Sequence, residues 1–167
     1  MTKAEEPATQ GQGGVRRFMD EISIHAGQAA PGWQGSMEFV LRISDDYAYI
    51  RPRDLRNPLR FLQQMAGVPP IQLGTDGFRA GLVDDQNPAR HYTALLFVGF
   101  WLPYPLAWLV LYVWEMAGFV RYRGYWSPAD IRCGLAGLRH GKLVRRYGPT
   151  ILPALIAADL ATEYMAA

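Results

Sequence analysis

An uncharged stretch of 23 residues, from Tyr92 to Trp114, is the feature that most constrains how this chain can fold. At a rise of about 1.5 Å per residue, a helix of that length matches a hydrocarbon core of roughly 30 Å. A helix that is apolar on every side needs either lipid or a large protein around it. A chain of 167 residues has too little other material to cover such a helix. The stretch therefore predicts insertion into a membrane.

The sequence Pro103-Tyr104-Pro105 lies near the middle of this stretch and predicts a kink or a break, because proline removes a backbone donor and clashes with the preceding turn. Two shapes follow, a kinked single span and a re-entrant helical hairpin. Within about 20 residues of the stretch, more arginines follow it than precede it, which predicts that the C-terminal segment lies in the cytoplasm. The polar N-terminus has no signal-peptide pattern, which also predicts a cytoplasmic N-terminal region, and only a hairpin satisfies both predictions.

The region before the stretch has the pattern of a small α+β unit. Val15, Phe18 and Ile22 recur at helical spacing, whereas the apolar residues of 37–43 alternate with polar ones as in a strand. A turn at 44–46 leads into a partner strand. A short helix over 57–67 and a turn at 74–77 complete the predicted unit, which has little core of its own.

The region after the stretch predicts two amphipathic helices. Ser127 is a typical N-cap and Gly148-Pro149 a typical stop, so the first helix is expected to end at Tyr147. Its arginines lie beside an apolar stripe, which favours contact with anionic lipid or with a partner's acidic groups. Three glycines on another face of the same helix indicate close approach by a neighbouring helix. A final helix opens at Pro153.

The four parts together define the predicted fold class: a disordered tail at 1–14, a small α+β region at 15–90, a membrane-inserted segment at 91–120 and basic juxtamembrane amphipathic helices at 121–167. The first 91 residues carry ten basic and eleven acidic groups, and the rest carry seven and four. Many Arg, Ala and Gly residues suggest a bacterial source with GC-rich codons. The predicted location is the bacterial inner membrane, with the C-terminal segment in the cytoplasm.

No motif in the chain indicates a reaction. Its single cysteine, Cys133, excludes an internal disulfide and a cysteine-based zinc site, and a net charge of +2 argues against a nucleic-acid partner. Cys133 and His140 share one helix face, but chance proximity explains that spacing better than metal binding does. We therefore expect no cofactor. Glu115, at the edge of the apolar stretch, is expected to reach the membrane interface or to pair with Arg121 or with a partner.

These observations favour a non-catalytic accessory subunit that stabilises or bridges a larger bacterial membrane protein complex, such as a respiratory or photosynthetic assembly. The alternative is a membrane-anchored enzyme or lipid-handling protein that acts at the headgroup interface. The expected partners are other membrane protein subunits and anionic phospholipids. The residues predicted to contact a partner or lipid are Trp101, Trp108, Trp114, Arg121, Arg123, Trp126, Arg132, Gly134, Gly137, Arg139 and Gly141.

Overall fold

Six α-helices account for most of the computed structural model, which describes residues 14–51, 53, 57, 68–84, 86–121 and 127–162. A π-helical turn, Ser44–Ala48, follows the second helix, and 3-10 turns lie at Ala80–Leu82 and Pro149–Ile151. The helices are α1 (Gly14–Gln28), α2 (Gly32–Ile43), α3 (Pro88–Trp101), α4 (Tyr104–Arg121), α5 (Pro128–Tyr147) and α6 (Leu152–Asp159).

The predicted α+β class is wrong, because the described residues form no strand and make only one isolated bridge, between Phe78 and Ala161. The segment predicted as a strand at 37–43 lies in α2, and its predicted partner begins within the π-helical turn. The reason is a second periodicity in the same residues: Ser36, Phe39 and Ile43 fall on one helical face and are all buried. The helix predicted at 57–67 lies almost entirely outside the described residues.

The prediction of a membrane-inserted segment is also wrong: among the described residues, no helix combines the length and the apolarity needed to cross a membrane. The uncharged stretch is divided at Leu102 and Pro103 between two helices: α3 has 14 residues and begins before the stretch, and α4 has 18 residues and continues beyond it. An α-helix of 14 residues is only about 21 Å long. The division also removes the need for a large protein, because two short helices are easier to cover than one long one.

Two of the helix boundaries are those that the sequence predicts. The side chain of Ser127 accepts a hydrogen bond of 3.0 Å from the backbone N–H of Asp130, and α5 ends at Tyr147 as expected. Helix α1 buries Val15, Phe18 and Ile22, the residues whose spacing predicts its inner face.

The main core brings α1, α2, α3, α5 and α6 together around the side chains of α3. Tyr92, Leu96 and Phe100 of that helix have no exposed surface. Phe18 from α1 meets Tyr92 edge to face, with 5.9 Å between the ring centroids. Helix α3 is therefore a core helix of the chain, and it is enclosed by helices that come before and after it in the sequence.

Helices α3 and α5 approach each other closely because glycine lines the contact. A Cβ atom added at Gly137 would lie 2.5 Å from the carbonyl oxygen of Tyr92, and one at Gly141 would lie 2.1 Å from that of Leu96. From the opposite side, a Cβ at Gly99 would lie 2.2 Å from the carbonyl oxygen of Leu138. These distances leave no room for any side chain, so backbone packs on backbone.

We predict that Gly141→Ala lowers the free energy of unfolding by about 1–3 kcal/mol, because the new methyl group forces α3 and α5 apart. Urea unfolding followed by far-ultraviolet circular dichroism measures this change. The matched control is Gly118→Ala in α4, where no heavy atom lies within 4 Å of the added Cβ. Helix propensity alone should stabilise that variant by about 0.8–1 kcal/mol. Equal stability of the two variants would contradict the close contact.

Candidate functional site

A buried polar network links α3, α5 and the end of α6. The hydroxyl of Tyr92 lies 2.7 Å from Nδ1 of His140, and Nε2 of His140 lies 2.6 Å from Oδ2 of Asp159. Arg139 also donates to Asp159 and is largely exposed. Tyr92 and His140 are fully buried. Three helices are therefore joined through one imidazole ring.

Burial and hydrogen bonding shift the pKa values of Tyr92, His140 and Asp159, and these shifts indicate which of the three groups carry a proton. Burial lowers the pKa of His140, although Asp159 acts in the opposite direction. Burial tends to raise the pKa of Asp159, but hydrogen bonds from His140 and Arg139 outweigh it and leave that pKa lowered. Burial raises the pKa of Tyr92 well above its usual value. At neutral pH, Tyr92 therefore donates to a neutral His140, which donates to an ionised Asp159.

This order of donors has the form of a proton relay, but two of its three members, Tyr92 and His140, have no exposed surface. A general base must come within hydrogen-bond reach of the proton that it removes from a substrate. The network is consequently better suited to holding α3, α5 and α6 in register than to chemistry. In the sequence, His140 stands out only by its spacing from Cys133, but the Cys133 thiol donates to the carbonyl oxygen of Pro88 at 3.6 Å.

The second candidate site is the outer surface of α4. Nine of its large hydrophobic side chains expose between 37 % and 59 % of their surface. We call this surface the α4 face, and its members are Tyr104, Leu106, Leu109, Val110, Tyr112, Val113, Trp114, Met116 and Phe119.

The one carboxylate of α4 lies on the side of the helix opposite the α4 face. Glu115 is only 8 % exposed, and its Oε1 lies 3.6 Å from Nε2 of His91, which belongs to α3. Burial raises the pKa of Glu115 to about 7, and the charges of Asp130 and Asp84 act in the same direction. Glu115 was expected to reach a membrane interface, but its side chain points inward, toward α3.

Basic side chains lie at the Tyr104 end of the α4 face. Nζ of Lys142 lies 5.2 Å from the centre of the Tyr104 ring. Cζ of Arg145 lies 5.2 Å from the centre of the Trp33 ring. Nη1 of Arg145 donates to the carbonyl oxygen of Phe100 at 3.1 Å. Arg145 thereby satisfies a carbonyl at the C-terminal end of α3, where a cation is also favoured by the helix dipole.

The residues predicted to contact a partner or lipid fall into three groups. Gly134, Gly137 and Gly141 are buried against helices of the same chain. Trp101 and Trp108 are half-buried, whereas Trp114 is 42 % exposed on the α4 face. Two of the arginines bind groups of the same chain: Arg132 donates to the carbonyl oxygen of Gly81, and Arg139 binds Asp159. Arg123 and Trp126 lie outside the described residues. The side chain of Arg121, the last residue of α4, also lies outside them.

Among the described residues, no three His, Cys, Asp or Glu side chains come together in a way that would hold a metal ion. Comparisons with protein family models, with curated proteins and with solved structures found no match to this chain. The interpretation of its function therefore depends on the geometry of the chain itself.

We predict that Tyr92→Phe lowers the free energy of unfolding by about 1–3 kcal/mol, because it leaves Nδ1 of the buried His140 without its donor. Tyr147→Phe removes the same hydroxyl from a side chain that is 57 % exposed and serves as the control. Chemical unfolding of both variants measures the difference. A Tyr92→Phe protein as stable as the control would show that the network does not hold the helices together.

Proposed function

We propose that the protein is a non-catalytic accessory subunit that joins a larger bacterial membrane protein complex by docking the α4 face onto a partner subunit. The observation that supports this most is the exposure of nine large hydrophobic side chains on one helix. Exposed apolar patches of that kind mark interaction surfaces in proteins.

The size of the α4 face supports a stable interface. Large apolar side chains have surfaces of roughly 150–250 Å² each. With nine of them 37–59 % exposed, the face presents on the order of 800 Å². A standard protein interface buries about 800 Å² on each partner, and the largest apolar patch of an ordinary monomer is about 300–600 Å². The face thus has the area of a whole interface rather than that of an incidental patch.

The distribution of exposed side chains around α4 indicates the kind of partner. Helix α4 turns only a narrow stripe inward, formed by Ala107, Leu111 and Glu115 at a spacing of four residues. The other sides of the helix are largely exposed, so a flat surface or a single helix would cover only part of it. A groove between several apolar helices would cover the rest. Subunits of a membrane complex, whose helices are apolar on their outer sides, offer grooves of that chemistry.

The proposal is tested by a single charge placed on the α4 face. We predict that Leu109→Glu releases the protein from its assembly, because a carboxylate in an apolar interface loses its hydration without gaining a partner. Tagged protein expressed in its native host, extracted gently and separated by native electrophoresis reports the size of the assembly that contains it.

Ile24→Glu on α1 is the matched control, since Ile24 and Leu109 are both 58 % exposed. The wild-type protein and the control should migrate in an assembly of defined size, and Leu109→Glu should migrate alone. Migration of the wild-type protein as a lone monomer under every mild condition would contradict the proposal. Retention of Leu109→Glu in the assembly would contradict the role of the α4 face.

A further inference from the structure

Among the described helices, α4 is the one that contributes no buried residue to the main core. It begins directly after the break at Pro103, and the main core draws its buried residues from the other helices. Ala107 and Leu111 of α4 instead join a small separate cluster with Leu95 and Leu138. A helix held by a small cluster can separate at a lower free energy than the global unfolding of the protein.

Glu115 is the next residue of the inward stripe after Ala107 and Leu111, and it is the stripe's ionisable member. Its carboxylate is therefore taken out of water only while α4 lies against the body. The titratable groups that face it among the described residues are His91 from α3, Asp130 from the first turn of α5, and Asp84 from the segment before α3. Two of these three are carboxylates, so the surroundings do not favour a further negative charge on Glu115.

We propose that Glu115 is a proton-controlled latch for α4: its protonated carboxyl holds the helix against α3 and α5, and its ionisation loosens the helix. The latch regulates the α4 face, so its biological consequence, though not the latch itself, rests on the proposed docking function. A loosened α4 presents its remaining sides to a groove that encloses it, and acidification withdraws the helix onto the body.

The direction of the pH effect follows from linkage. Burial raises the pKa of Glu115 from 4.5 to about 7 while α4 is docked, and the ordinary value returns when the helix separates. The stabilisation is therefore complete below about 4.5 and is lost progressively as the pH rises to about 7.

Hydrogen exchange measured by mass spectrometry on the purified full-length chain tests the latch. Protection factors, which remove the intrinsic pH dependence of exchange, should fall for the amides of α4 by up to about tenfold per pH unit between pH 5 and 7. They should level off above about pH 7.5. Amides of α5 report global unfolding, which also returns Glu115 to water, so local opening is shown by amides of α4 that are less protected than those of α5 throughout this range.

Glu115→Gln should abolish the slope in α4, because glutamine keeps the size of the side chain without its proton equilibrium. Glu38→Gln, which makes the same chemical change at an exposed position, should keep the wild-type slope. Flat wild-type protection between pH 5 and 7, or a slope that persists in Glu115→Gln, would overturn the latch. The measurement needs no partner, so a negative result here leaves the docking function standing, and failure of docking leaves the latch standing.

Discussion

The close contact between α3 and α5 is the constraint on which the rest of the structure depends. Glycines on both helices let the two backbones meet, and this places the buried side chains of α3 at the centre of the molecule. The same approach brings Tyr92 within reach of His140, and through it of Asp159 on α6. A buried histidine that donates to an ionised carboxylate is stable only where its partners are held in place, so the polar network depends on the glycine contact.

A second consequence is the position of α4. Because α3 occupies the centre and the chain breaks at Pro103, the part of the apolar stretch that lies in α4 joins only a small separate cluster. Helix α4 lies on the outside and turns only one residue of each helical turn inward, and Glu115 is one of these residues. The exposed apolar side chains and the buried carboxylate are thus two sides of one arrangement, and both distinguish α4 from the other described helices.

The sequence predicted the helix ends and the glycine contact better than it predicted the fold. Ser127, Gly148 and the spacing in α1 act through local physics, which a sequence shows directly. The segment at 37–43 was misassigned because its apolar residues satisfy both a two-residue and a helical period, and only tertiary packing selects between them. The network around His140 could not be predicted, because its members are 19 and 48 residues apart and meet only through packing. Glu115 was noticed as unusual, but its inward direction required the fold.

The division of the uncharged stretch into a buried helix and an exposed one can be measured by cysteine labelling. A water-soluble maleimide is reacted with Leu96→Cys in α3 and with Leu109→Cys in α4, each in a Cys133→Ser background of the purified chain. Leu96 has no exposed surface and Leu109 is 58 % exposed. We expect rapid labelling at position 109 and labelling at position 96 that is slower by at least about 100-fold, because reaction there requires local opening. Similar rates at the two positions would contradict it.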